Sequence, residues 1–277
     1  MNFLIKNQDL YGLKAFLQAR NTPLKILKEG VTYSSIVIDD NVKTTLGENI
    51  NDISLFKDIN RSLKTFSLLV CDMDSTLIQN ECIDEIASYI GKKDEVAKIT
   101  EEAMSGKLSF SESLQKRVAM LAGIDVNSFN EIIKTRIRLQ PHVSEWIDYA
   151  KKQNLITVIV SGGFEEFVNY VRATLKMDYG YSNKFEIKNN ILTGQLASEI
   201  LDANKKAIIL NQHAKMMNIE TDKIISIGDG ANDILMFEAS GLSIAMHGKD
   251  ILRNKSDWFV NDGFFKTVID LFKFYSE

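Results

Sequence analysis

Short apolar runs alternate with amphipathic stretches along most of this chain, and the two patterns predict different elements. The runs are Leu68–Cys71 (LLVC), Leu155–Val160 (LITVIV), Lys223–Ile227 (KIISI) and Leu242–Ala245 (LSIA). Continuous apolar runs of about 4–8 residues suit strands buried on both faces, as in a parallel sheet. Helical spacing follows or precedes each of them: from Pro141 in a first turn through Lys152, from Glu165 to Leu175, from Asn204 to Met217, and again after Asp233. Strands alternating with helices predict an α/β fold with a doubly wound parallel sheet. Phe185–Gly194, with Asn189-Asn190 at its middle, reads as a β-hairpin.

Two regions break the alternation. After Leu68–Cys71 come four short helical patterns with no strand between them: Cys82–Ile90 stopping at Gly91, Asp94–Met104 stopping near Gly106, a third opened by Ser109 and stopping at Gly123, and Asn127–Arg138. Ser109 with Glu112 three residues on is a capping-box signature, and glycines just past helix ends suit the left-handed cap position. This predicts a small helical bundle, residues 79–138, inserted after the first core strand. The core is then residues 63–78 and 139–277. Residues 1–62 show one helical pattern (Asp9–Ala19), one strand-like run (Thr32–Asp39) and a loop signal at Gly47-Glu48-Asn49. They carry no catalytic constellation and read as a small α+β accessory segment, regulatory or oligomerising.

Composition excludes several classes of function. A net charge of −4 gives no electrostatic footprint for nucleic acid. No apolar run approaches the roughly 18 residues of a membrane span, and the amino terminus, MNFLIKNQDL, has no sustained apolar region of a signal peptide. Two cysteines, Cys71 in a core strand and Cys82 beyond it, point to a reduced cytoplasmic protein. The three histidines, His142, His213 and His247, are far from both in sequence, so a metal site on cysteine is not expected.

The chemistry lies where strands end. LLVC runs into Asp72-Met73-Asp74, and residues i and i+2 of an extended chain point to one side. Two adjacent carboxylates repel unless a proton or a cation separates them. The second run ends in Ser161-Gly162-Gly163, the third in Gly228-Asp229-Gly230-Ala231-Asn232-Asp233, and Lys205-Lys206 opens a helix between these two. A parallel sheet brings its strand ends to one edge, where such folds bind ligands. Carboxylates, a lysine and N–H donors together meet the needs of phosphoryl transfer. Mg²⁺ suits the carboxylates, because Asp72 and Asp229 can ligate it while it offsets an otherwise repulsive cluster.

DMDST, VSGGF, a helix-opening lysine and GDGAND, in this order and spacing, resemble the haloacid dehalogenase-like phosphatases. The likeness is strongest from Ser67 to Ala245, and within the family it points to the members that act on phosphorylated serine. It implies Asp72 as the nucleophile, forming an aspartyl-phosphate. Asp74 would be the general acid and base, and its backbone carbonyl a Mg²⁺ ligand. Asp229 would be the second metal carboxylate, with Asp233 in support. Ser161 and Gly162 would hold phosphate oxygens. Lys206 is favoured by spacing as the phosphate lysine, with Lys205 as the alternative, and Asn232 would contact the substrate.

The insert narrows the substrate. Phe110, Leu114, Arg117 and Leu121 share one helix face, so Arg117 interrupts an apolar stripe. A guanidinium suits bidentate carboxylate recognition, and Glu81 can take an ammonium. The alternative is that these two charges pair with each other or with neighbours in the insert. In the family, matching residues bind the carboxylate and amine of phosphoserine while the matching phenylalanine closes the pocket. The expected activity is hydrolysis of O-phospho-L-serine for serine biosynthesis. The rivals are a phosphatase or phosphotransferase for another small phosphomonoester, dehalogenation, and a non-catalytic ligand-sensing scaffold.

Overall fold

The computed structural model describes residues 2–276 apart from 30–32, 38, 40, 43, 44, 46–54, 249 and 262. The loop signal at 47–49 lies outside the described residues. The amino-terminal segment forms β1 (Asn2–Lys6), α1 (Asn7–Gln18), β2 (Lys25–Glu29), β3 (Tyr33–Val37) and β4 (Leu55–Lys57). These strands make an antiparallel sheet in the order β2-β3-β1-β4. Period-2 alternation gives β1 two working faces: Ile5 packs beneath α1 with Leu10, Leu13 and Leu17, while Leu4 joins the main core.

The main sheet has six parallel strands in the order β12-β11-β10-β5-β6-β7. Here β5 is Leu68–Cys71, β6 Ile156–Phe164, β7 Tyr179–Asn183, β10 Ile224–Gly228, β11 Leu242–Met246 and β12 Trp258–Val260. β5 sits between β10 and β6, so the three polar strand ends are neighbours. Its side chains alternate between two cores: Leu69 and Cys71 face one, Leu68 and Val70 the other. The antiparallel pair β8 (Phe185–Lys188) and β9 (Ile191–Leu196) is the expected hairpin, with Asn189 and Asn190 both at positive φ.

The helices after β5 are α2 (Cys82–Tyr89), α3 (Lys93–Met104), α4 (Phe110–Ala119) and α5 (Ser128–Arg136). Those that flank the sheet are α6 (Val143–Lys152), α7 (Glu165–Leu175), α8 (Ala203–Met216), α9 (Ile234–Glu238) and α10 (Phe264–Phe274). The Ser109/Glu112 capping box is present in full. Among the described residues no helix is long and apolar enough to cross a membrane.

Three local expectations are corrected. α4 ends at Ala119, not near Gly123; Gly123 instead donates its N–H to Leu192 O (2.9 Å), tying the insert to β9. Pro141 lies ahead of α6, whose entry is the left-handed residue His142 (φ 62°). The strand expected to end at Val160 runs on to Phe164, so Ser161-Gly162-Gly163 continue β6. Two extra residues bulge there: Val160 pairs with Tyr181 and Phe164 with Asn183. Strands β1, β2, β4, β7 and β12 and helix α10 were not among the expected elements.

The amino-terminal sheet is continuous with the main core. Phe56 of β4 stands edge-to-face with both Tyr33 (6.1 Å) and Trp258 (6.5 Å), and Trp258 Nε1 donates to Lys57 O at 2.9 Å.

Candidate active site

The carboxyl ends of β5, β6 and β10 floor a pocket of about 700 Å³, and α4 and the start of α2 form its far wall. Asp72 follows β5 directly and is almost fully buried. Its backbone N–H still joins the ladder, donating to Ile227 O (2.9 Å), so the position of its carboxylate is set by the sheet. Lys206, on the buried face of α8, reaches the same point. Its Nζ lies 2.7 Å from Asp72 Oδ2 and 2.8 Å from Asp233 Oδ1. Lys205 points outward and pairs with Glu199 at 3.3 Å. The tertiary structure therefore brings Lys206, and not Lys205, to the Asp72 carboxylate.

Asp233 holds this corner together. It is wholly buried, and its second oxygen accepts N–H bonds from Asp229 and Gly230, both at 3.1 Å. One carboxylate thus ties the turn after β10 to α8. Asp72, Asp229 and Asp233 each offer an oxygen within 4.8 Å of the others. Burial pushes the Asp229 carboxyl up to about 7, with the charges of Asp233 and Glu81 adding to it. Burial also pushes Asp72 well up, with Lys206 opposing and Asp233 and Asp229 reinforcing. The Lys206 ammonium is held well above its usual range: its two carboxylate partners outweigh its burial, which acts the other way.

Asp74 faces the pocket two residues on. Burial, then the charge of Glu81, raises it to about 8, which favours the protonated carboxyl. Its Oδ2 lies 2.7 Å from where a Cβ on Gly163 would stand. A side chain at 163 would force this carboxyl to shift. Ser161 is buried, and its Oγ accepts the Gly163 N–H at 2.9 Å.

On the far wall, Phe110 is the first residue of α4 and 40 % exposed. Its ring tip lies 3.4 Å from the place of a Gly162 Cβ, so the ring overhangs the end of β6. Arg117, two turns on, is half-buried beside the pocket. Burial pulls its guanidinium down, and the carboxyls of Asp84, Glu81 and Asp74 oppose that shift. Glu81 accepts from Ser75 Oγ at 2.8 Å. Glu81 and Arg117 line the same pocket as Asp72, Asp74, Gly162, Asp229 and Asn232. Every predicted site residue is thus at this one place, with Ser161, Lys206 and Asp233 just behind its surface.

Sequence reading missed several supports. Thr76, buried, donates to Asp229 Oδ1 at 3.0 Å and spans β5 to β10. Ser75 adopts φ 55°, a conformation uncommon outside glycine, and this turns the chain so that its hydroxyl meets Glu81. Both lie inside DMDST, so the motif was a signal for them. Gly163 was visible only as the second glycine of a pair.

The arrangement can hold a phosphate-sized anion against an ammonium, present a carboxylate to it and offer a proton beside it. Comparison with known proteins agrees. A family model described as haloacid dehalogenase-like hydrolase matches residues 69–238, and the chain belongs to that family; it is an enzyme of the hydrolase class. A phosphoserine phosphatase from Polaromonas sp. is 40% identical over 216 residues, covering 76% of this chain and 92% of the relative. Over nearly the whole chain, the fold matches the crystal structure of a HAD family hydrolase from Salmonella enterica serovar Typhi, with TM-score 0.85 and 30% identity. That match covers 98% of this chain and 97% of the other. It also matches a probable phosphoserine phosphatase from Vibrio cholerae, with TM-score 0.80 and 31% identity, covering 98% and 86%.

Proposed function

We propose that the chain hydrolyses O-phospho-L-serine to L-serine and phosphate through an aspartyl-phosphate on Asp72, with Mg²⁺ as cofactor. One observation carries the substrate: Arg117 and Glu81 line the wall of the pocket whose floor holds Asp72, with Lys206 paired to it from behind. A phosphate on the floor leaves a carboxylate and an ammonium to be read from the wall, and a guanidinium and a carboxylate are the groups that read them. The phosphoserine phosphatases among the relatives support the same choice.

The donor set fits a divalent cation. Asp72, Asp229 and Asp233 are three carboxyl groups facing one ammonium, Lys206, and in a buried place their ionised forms need a further cation. Asp72 and Asp229, backed by Asp233 and the Asp74 carbonyl, would hold Mg²⁺, which offsets charge on the phosphoryl oxygens and the carboxylates when bound.

The chain's own residues do the rest. Lys206, Ser161 and the Gly162 amide hold the phosphate oxygens, and Asn232 contacts the substrate from the β10 side. Asp72 attacks phosphorus; the bond from phosphorus to the serine oxygen breaks, and Asp74 gives that oxygen its proton. Water then attacks the Asp72 phosphate and Asp74 takes the water's proton, which returns both residues to their starting state. Phe110 overhangs the reacting centre and excludes solvent. Cys71 and Cys82, both free and buried, suit the reducing cytoplasm, where serine synthesis would use this step.

Phosphate release from O-phospho-L-serine, with Mg²⁺ and with EDTA, tests the proposal against a panel of other phosphomonoesters and acceptor alcohols. Preference for phosphoserine, loss in EDTA and loss in Asp72→Asn are expected. Equal rates across the panel, or transfer to alcohols in place of water, would overturn it.

A further inference from the structure

We infer that Asn183 is a positioning residue for the phosphate-binding half of the site, acting through Gly162 and Leu201. The inference rests on the reading of Ser161, Gly162 and Lys206 as the phosphate-holding groups. Asn183 is the last residue of β7, fully buried and outside the pocket lining. It pairs with Phe164 immediately after the bulge that carries Ser161, Gly162 and Gly163. A bulge leaves backbone groups without ladder partners. The Asn183 side chain supplies one: Nδ2 donates to Gly162 O at 2.8 Å. Its Oδ1 accepts the Leu201 N–H, also at 2.8 Å.

Each bond leads to a phosphate group. The peptide from Gly162 to Gly163 is planar, so fixing its carbonyl fixes its N–H. That N–H donates to Ser161 Oγ at 2.9 Å, which obliges the serine hydroxyl to direct its own hydrogen elsewhere. On the other arm, Leu201 is followed by Asp202, which caps α8 by accepting the Lys205 N–H at 2.9 Å. The Asp202 carbonyl accepts the Lys206 N–H at 3.0 Å. Asn183 therefore spans the two segments that present Ser161 and Lys206 and sets their separation. A carboxamide is suited to this, since it offers a donor and an acceptor on one rigid group.

The test uses the full-length chain with Asn183→Leu, close in shape, and Asn183→Ala, which leaves room for a water to pair the two backbone groups. Inorganic phosphate binding is measured by calorimetry in Mg²⁺, and kcat and KM with O-phospho-L-serine and with p-nitrophenyl phosphate. Thr157→Val is the control for plain loss of a buried bond, because Thr157 Oγ1 donates to Asp178 (2.7 Å) at the opposite end of β6.

In the Asn183 variants, phosphate affinity is expected to fall about tenfold or more. kcat/KM should fall by a similar factor on both substrates, since displacements near 1 Å cost about 10²-fold. Thr157→Val should change melting temperature but neither constant by more than about twofold. Asn183 variants with phosphate affinity within twofold of wild type would overturn the inference. If neither variant folds, the wild-type Asn183 side-chain amide resonance decides: a shift on adding phosphate supports the clamp, and no shift refutes it. Wild-type protein that binds phosphate but ignores phosphoserine would overturn the proposed substrate and leave this test intact.

Discussion

Gly163→Ala bears most heavily on the placement of Asp74. The added Cβ would stand 2.7 Å from Asp74 Oδ2, 3.1 Å from Ser161 Oγ and 3.2 Å from Met73 Cε. Non-bonded heavy atoms are most comfortable at about 3.5–4.0 Å, so the Asp74 carboxyl must retreat by roughly 0.5–1 Å. Ser161 Oγ and Met73 Cε must give by a few tenths of an ångström as well. Misplacing a reacting group by about 1 Å costs up to about 10²-fold, which predicts a kcat lower by roughly 10- to 100-fold, or about 1.4–2.7 kcal/mol in the barrier. The fold should tolerate the change. Gly163 has no positive φ, so alanine meets no backbone strain, and it reduces unfolded-state entropy by about 0.4–1 kcal/mol. The assay is steady-state phosphate release from O-phospho-L-serine at saturating Mg²⁺, paired with thermal melts. A kcat within twofold of wild type would refute the steric reasoning. So would a loss of activity that merely tracked a fall of more than about 10 °C in melting temperature, since about 1 kcal/mol moves a chain of this size by only about 2–4 °C.

Three further substitutions probe other parts of the molecule. Lys206→Met leaves Asp72 and Asp233 buried without their ammonium. Breaking such a cluster costs about 3–5 kcal/mol, so melts should fall by roughly 10 °C, and adding Asp233→Asn should recover part of the fall without activity. Arg117→Ala should lower kcat/KM for phosphoserine much more than for an aryl phosphate. A bidentate carboxylate contact is charge-assisted on both partners, and equal losses on the two substrates would remove Arg117 as the carboxylate reader. Phe56→Ala should cost about 3–5 kcal/mol while kcat, measured well below the melt, stays near wild type. A melting temperature unchanged within about 2 °C would show that the amino-terminal sheet is not part of the common core.

The site was legible to an unusual depth because its chemistry follows strand ends. Asp72, Ser161 and Asp229 each stand within two residues of the end of an apolar run, and parallel strands deliver such residues to one edge whatever the surrounding detail. The α4 face with Phe110 and Arg117 was likewise readable from helical period. β7 was not, since Tyr179–Asn183 (YGYSN) is an exposed edge strand with one buried residue, Asn183, and gives no apolar run. With β7 unseen, the bulge opposite it was also unseen, and the strand was read as ending at Val160. The amino-terminal strands were hard to read for a related reason: they are short, and β2 is almost wholly exposed.

What the sequence determined by itself was the set of chemical groups and the order in which they come. Asp72 and Asp74 were already two carboxylates that needed a cation and a proton to coexist. Tertiary structure decided which lysine supplies charge, because 205 and 206 are adjacent in the chain and only the packing of α8 turns Lys206 inward to Asp72. It decided that Asp233 bridges that lysine to the β10 turn, that Gly163 makes room for Asp74, and that Asn183 reaches Gly162 across the bulge. Each depends on distances between segments far apart in the chain. Local periodicity fixes which way a side chain faces, while close packing of the core fixes how near it comes to its partner.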